Sequence, residues 1–194
     1  MATDEQRWIE RLRRRDEGAF NELVRRHQEP IFRLLSSMLG DAAEAEDVAQ
    51  EVFVSVFKSI DSFRGDAALS TWLYRVAVNH GKNRIKYLAR RARDAQRPLD
   101  ERTEGQQASM GVMGSRPASP DQVAEALQAE GHVQRALSCL EEEQRVLVVL
   151  RDVENLSYDE IVGVTGLPIG TVKSRLHRAR LALHKAFRAL SEEP

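Results

Sequence analysis

Apolar residues recur at three- and four-residue steps through most of this 194-residue chain, the period of amphipathic helices. Trp8, Ile9 and Leu12 form the inner face of a first helix over 4–15, with Arg11, Arg13, Arg14 and Arg15 outside, and Asp16-Glu17-Gly18 interrupts it. Phe20, Leu23, Val24, His27, Ile31, Leu34, Leu35 and Met38 predict a longer helix over 19–39, with Pro30 as a candidate kink or break. His27 lies on or near this stripe and reads as a core or boundary histidine rather than a ligand. After a turn at Gly40-Asp41, a third helix over 42–60 turns Val48, Val52, Phe53, Val56 and Phe57 inward. Ser70 or Thr71 is then placed to cap a helix that runs on through Trp72, Leu73 and Val76. Periodicity is lost over 94–120, where Gln, Gly, Ser and Pro accumulate, as in a linker. Ser119-Pro120-Asp121 opens a helical stretch to Leu140, and a helix over 141–153 buries Val146, Leu147 and Leu150. The expected fold class is all-α: two small helical domains joined by a flexible linker, over residues 1–95, 96–122 and 123–194.

The most informative pattern lies in the second domain, between Leu156 and Arg188. Ser157 is a good N-cap, and Glu160 three residues later completes a capping box ahead of Ile161, Val162 and Val164. This short helix must stop near Thr165-Gly166, because glycine tolerates the left-handed conformation of a helix end and Pro168 pushes Leu167 out of the α region. The proline also suits the first turn of a new helix. On that second helix Val172, Leu176, Ala179 and Leu183 fall on one stripe, which is core. The remaining surface carries Lys173, Ser174, His177, Arg178 and Arg180, and 169–188 holds six Lys/Arg and no carboxylate. A helix-turn-helix sets the N-terminal part of its second helix into the DNA major groove, where such side chains reach base edges and phosphates. A basic amphipathic helix lying on a protein or acidic membrane accounts for the charge too, but needs neither the capped first helix nor the Gly-x-Pro turn.

Charge changes the picture next. A net charge of −1 argues by itself against a nucleic-acid binder, yet the charge is segregated. Five carboxylates (41, 44, 46, 47, 51) and no base occupy 41–51, whereas six bases (82, 84, 86, 90, 91, 93) and no acid occupy 82–93. Different faces therefore meet different partners. The helix dipole accounts for Asp41 and Glu44 near an N-terminus, but less well for Glu51, about two turns further on. Upstream of the basic run, Phe63, Trp72 and Tyr74 are three of eleven aromatics. Rings beside cations suit single-stranded nucleic acid, where bases stack while positive charge tracks the backbone. Equally, Trp72, Leu73 and Val76 could be plain core and the bases a solvated face.

Other chemistry has little support. Cys139 is the single cysteine, which excludes an intrachain disulfide or a cysteine zinc cluster, and its neighbours Leu137 and Leu140 suggest a buried small hydrophobe. The five histidines show no metal-ligand spacing, and HExxH, GxSxG and glycine-rich phosphate loops are absent. No metal or cofactor is expected, and no enzymatic activity. No apolar run approaches a membrane span and the first residues lack a signal-peptide core, so a cytoplasmic protein without membrane insertion is expected.

Taken together, DVAQEVFV (47–54), FRGDAALSTWLYRVAVN (63–79) and LSYDEIVGVTGLPIGTVKSRLHRAR (156–180) make the chain resemble a bacterial RNA polymerase sigma factor of the extracytoplasmic-function class, over nearly its whole length. The resemblance implies a dissociable subunit that binds core polymerase, reads two promoter elements and helps melt the DNA. It implies that Asp47, Gln50 and Glu51 dock on the basic coiled coil of the beta-prime clamp, with further contacts to the beta subunit. The loop from Arg64 to Ser70 is implied to shape a pocket for a flipped minus-ten base, with Trp72, Asn79, Lys82 and Asn83 on or near that strand. Lys173, Ser174, His177 and Arg178 are implied to read the minus-thirty-five duplex. An anti-sigma factor is the further partner it implies. His80-Gly81 and His177 depart from the family pattern, where small or polar helix formers and an aromatic are the usual residues. The competing reading is a repressor or activator that uses the helix-turn-helix alone, which leaves the acidic helix and the aromatic-basic segment without a role.

Overall fold

The computed structural model describes residues 4–95, 133 and 135–191, and every regular element among them is helical. Helix α1 covers Asp4–Arg13, α2 Glu17–Leu39, α3 Ala42–Ser59 and α4 Leu69–Ala95, with a 3₁₀ turn at Ile60–Ser62. In the second half, α5 covers Glu142–Val148 and runs into a π turn at Val149–Val153, α6 covers Tyr158–Thr165 and α7 Ile169–Ser191. The expected linker at 96–122 and the helical stretch opened by Ser119 lie outside the described residues, except that 135–138 are helical and the chain turns at Cys139 and Leu140.

Local chemistry sets most boundaries. Asp16, read from sequence as part of an interruption, is the N-cap of α2: its Oδ1 accepts from the Ala19 amide at 2.7 Å, so the helix begins at Glu17. Gly40 ends α2 in the left-handed conformation, φ 72°, with its amide donating to the Ser36 carbonyl. Pro30 neither breaks nor ends that helix. Asp41 caps α3 through the Glu44 amide. The expected cap at Ser70 or Thr71 is not formed, because α4 already begins at Leu69; Thr71 is buried in the first turn.

Helices α2, α3 and α4 pack together, with α1 laid on α2; α5, α6 and α7 form the second group, and α6 also packs on α4. Leu23, Leu34, Leu35, Val48, Val52, Val56 and Leu73 are fully buried in the first group, and Leu147, Leu150, Ile161, Val172 and Leu176 in the second. Buried apolar side chains from Leu12 to Ala179 form one continuous cluster across both groups. Gly81, a departure noted in the sequence, is a packing feature: a Cβ there would lie 2.7 Å from Met38 Cε and 3.2 Å from Leu35 Cδ2, so its absence lets α2 approach α4.

Two expectations about the core need correction. Phe57 is not turned inward: it is exposed on α3, where its ring meets Phe20 edge-on at 4.7 Å and the Arg15 guanidinium lies 5.3 Å from its centroid. Cys139 is exposed rather than buried, because the chain turns there and Leu137 and Leu140 take the inward positions. His27 behaves as read: it is half-buried, and burial, with Arg26 adding, holds its pKa below the usual histidine value.

Candidate polymerase and nucleic-acid interfaces

The helix-turn-helix forms as its sequence dictates. Ser157 Oγ accepts from the Glu160 amide while the Glu160 carboxylate accepts from the Ser157 amide at 2.8 Å, a complete capping box. Gly166 closes α6 at φ 72°, its amide on the Val162 carbonyl. The Pro168 carbonyl then accepts from the Thr171 and Val172 amides, at 2.8 and 3.0 Å, to start α7. Val172, Leu176 and Ala179 are buried and Leu183 is half-buried, so the inward stripe is as read.

Lys173, Ser174, His177 and Arg178 are all exposed on the other side of α7. Lys173 Nζ sits 5.5 Å from the Tyr158 ring centroid, which anchors the side chain beside the start of α6. Arg175 and Arg180 belong to a different role. Arg180 Nε donates to Asp152 at 2.9 Å, and Arg175 pairs with Glu143, so both brace α7 against the α5 segment. Sequence charge counts could not separate these two from the cations left facing solvent, because their carboxylate partners lie 28 and 32 residues away.

The minus-ten candidates divide by position. At 100° per residue Trp72, Asn79 and Asn83 share one stripe of α4, with Arg75, Lys82 and Lys86 about 60° to one side. Ser70 falls on the opposite side of the first turn and does not join them. Asn79 and Asn83 are exposed, and Trp72 and Lys82 partly so. Phe63 and Tyr74 are core: Phe63 is buried with its ring 5.5 Å from Trp72, and Tyr74 is buried with its hydroxyl donating to Glu154 at 2.8 Å. Burial, reinforced by the Glu154 carboxylate, raises the Tyr74 pKa far above its usual value. Of the three clustered aromatics only Trp72 remains at a surface. The sequence reading passed over Tyr87, which is exposed on α4 among Arg84, Lys86, Arg90 and Arg91. The signal that could have found it is an aromatic in the middle of a basic run.

A cleft of 850 Å³ opens beside the 63–68 loop. The loop supplies Phe63, Arg64, Gly65, Asp66, Ala67 and Ala68, and α1 supplies Glu5, Gln6, Ile9, Glu10 and Arg13. Gly65 has φ 82°, a conformation in which a side chain is strained. Arg13 Nη2 donates to the Phe63 carbonyl at 2.7 Å and Arg15 Nη2 to Asp61 at 2.7 Å, so the end of α1 holds the entry to the loop. Arg64 lines this cleft, whereas Ser70 and Trp72 stand outside its lining. The contribution of α1 was not read from sequence, since nothing in residues 4–15 signals proximity to a loop some 50 residues later.

The acidic surface of α3 splits as well. Asp47 and Gln50 are exposed. Glu51 is half-exposed and already engaged: Arg84 Nη2 donates to it at 2.8 Å and Arg84 Nη1 to Glu44 at 2.9 Å, bracketing α3 to α4, with His80 Nδ1 3.7 Å from the second Glu51 oxygen.

Known proteins match this arrangement. The sigma-70 region 2 family model matches residues 23–93, and the sigma-70 region 4 model matches 131–183. The RNA polymerase sigma-H factor of Pseudomonas aeruginosa is 38% identical over 197 residues, covering 100% of both chains. The ECF RNA polymerase sigma-E factor of Escherichia coli K12 is 35% identical over 182 residues, covering 94% of this chain and 93% of that one. Among solved structures, the Bartonella quintana sigma factor RpoE, determined with the anti-sigma factor NepR, superposes with a TM-score of 0.65 at 22% identity, over 90% of this chain and 98% of that one. CnrH, determined with the cytosolic domain of CnrY, gives 0.66 at 21% identity over 96% and 99%. The helix-turn-helix with its exposed basic face, the acidic α3 and the loop cleft thus sit in a chain that belongs to the extracytoplasmic-function class of the sigma-70 family of RNA polymerase sigma factors.

Proposed function

We propose that three separate surfaces carry out the work of this sigma factor, which directs promoter-specific initiation by core RNA polymerase and is not itself an enzyme. The acidic face of α3 docks on the basic beta-prime clamp, with Asp47 and Gln50 as the free contacts. Glu51 contributes charge there while it holds Arg84. A second contact, to the beta subunit, belongs to the helix-turn-helix half. On α4, Asn79 and Asn83 offer amides to base edges beside Trp72, while Lys82 meets phosphates, and the cleft at Arg64 receives one unstacked minus-ten base. Lys173, Ser174, His177 and Arg178 of α7 enter the minus-thirty-five major groove. His177, in place of an aromatic, offers a hydrogen bond instead of a stacking face. Residues 1–95 and 123–194 are thus the two working domains, with 96–122 as the tether. Linking two weak DNA contacts through one polymerase raises their effective concentration and makes spacer length part of the specificity. The protein works in the cytoplasm, and an anti-sigma factor is its expected regulator.

The observation that carries this reading is the separation of the charge: an exposed carboxylate and amide on α3, and exposed cations with amides on α4 and α7. A repressor acting through α7 alone gives α3 and the loop cleft nothing to do. Multi-round transcription from a pool of promoters with bacterial core polymerase, with and without the protein, is the direct test. New protein-dependent start sites that share two enriched elements support the reading. Duplex binding by the protein alone, with no transcripts, overturns it in favour of the repressor.

A further inference from the structure

We propose that the free protein closes on itself, with the helix-turn-helix packed on α4, so that its two promoter-reading faces cannot be applied together until polymerase draws the two halves apart. The inference rests on the sigma reading above and adds a self-masked resting state to it.

The contact between the halves is built from charged groups that would be costly to bury without partners. The Glu154 carboxylate, only 4% exposed, follows the π turn after α5. It accepts from Arg33 Nε and Nη2 of α2, at 3.0 and 3.3 Å, and from the Tyr74 hydroxyl of α4 at 2.8 Å. Arg145 of α5 reaches the C-terminal end of α2, where its Nη1 donates to the Ser37 and Met38 carbonyls, both at 3.1 Å. Arg75 Nε of α4 donates to the Gly163 carbonyl of α6 at 2.6 Å.

Gly163 carries the clearest sign that the halves are fitted to each other. A glycine in the interior of an eight-residue helix weakens that helix, and nothing in the turn of the helix-turn-helix needs it. A Cβ at this position would lie 3.0 Å from Thr71 Cγ2, so the missing side chain is what lets α6 approach α4. Arg75, a cation beside the minus-ten stripe, is occupied by this contact, and Tyr74 is covered by it.

Distance makes the closed form inactive. Elements centred near minus ten and minus thirty-five lie roughly 25 base pairs apart, about 85 Å along B-form DNA at 3.4 Å per pair. Two domains of this size in contact have centres only about 26 Å apart, twice a radius of gyration of about 13 Å. Both faces can be engaged only after the Glu154 and Arg145 contacts separate.

A disulfide across the contact tests this. Thr71→Cys with Gly163→Cys, in a Cys139→Ser background, places two thiols where the Cβ separation suits a bond. Oxidation is expected to give a fast-migrating cross-linked monomer whose core-dependent transcription is lower by roughly tenfold or more, and dithiothreitol is expected to restore it. Full activity of the cross-linked form overturns the inference. So does failure of the pair to cross-link while each single cysteine is labelled and the helix content is unchanged. Glu154→Lys, which faces Arg33 with a like charge, gives a second readout: its small-angle scattering should show a larger radius of gyration than the parent, and an unchanged profile overturns closure. Cross-linking and scattering need no polymerase, so an inactive parent would refute the sigma reading while these measurements still decide the closed state.

Discussion

The two nucleic-acid surfaces of this protein are built in opposite ways. On α7 the reading face is local: Lys173, Ser174, His177 and Arg178 lie within six residues, on a helix set by the capping box at Ser157 and the turn at Gly166. On α4 the face is assembled, because the stripe of Trp72, Asn79 and Asn83 depends on α3 through Arg84, and the adjoining cleft depends on α1 through Arg13. A local surface fails when its own helix fails. An assembled one can lose its shape from a change far away, with every contacting residue still in place.

The largest expected effect tests the local plan. Leu176 is 1% exposed beneath the reading face, and Leu176→Ala should cost about 2–5 kcal/mol of stability, read by urea unfolding. Minus-thirty-five protection should be lost with it, and an unchanged midpoint would contradict the packing. Arg178→Ala comes next. It should remove about 1–3 kcal/mol of minus-thirty-five affinity in footprints with holoenzyme, while a pull-down shows core binding intact. Retained footprints would remove Arg178 from the interface.

The assembled plan is sharpened by Arg13→Ala, which touches none of the proposed contacts on α4. Loss of its bond to the Phe63 carbonyl should cost about 1 kcal/mol. It should weaken promoter melting, seen as lower permanganate reactivity at minus ten, and leave minus-thirty-five protection alone. Equal loss at both elements would show that α1 acts only on global stability. Ser157→Ala should cost about 1 kcal/mol through the cap, confined to the helix-turn-helix half in hydrogen exchange.

The smallest effect is one of pH. His27 has a folded pKa below its ordinary 6.5, so the unfolded chain takes up a proton first. The stability that neutral His27 contributes is fully present above 6.5 and declines as pH falls through that value toward the folded pKa. Unfolding midpoints from pH 7.5 to 5 should show this decline, and His27→Gln should flatten it.

What could be read from sequence follows the same division. The capping box, the left-handed glycine and the inward stripe of α7 are short-range features, and all form as their residue types require. The order of helices was legible for the same reason. Features that depend on remote partners were not. Phe57 looked like core by periodicity, but its position on α3 faces Phe20 and Arg15 at the edge of the bundle. Ser70 and Thr71 looked like caps, yet α4 extends past them because Leu69 is itself buried. Glu51 looked like a free carboxylate, although Arg84 and His80 lie one helix over. Gly81 looked anomalous until Met38 supplied the reason for it.

The bracket formed by Arg84 has a mechanical consequence. Its guanidinium spans Glu44 and Glu51, about two helical turns apart on α3, from a single point on α4. Two anchors on one helix resist both sliding and swivelling, where a single ion pair would act as a pivot. Whatever grips α3 therefore also sets the bearing of α4, like a tool held by its handle. Any tolerance for variable promoter spacing must then come from the tether and the far half, because this half moves as one piece.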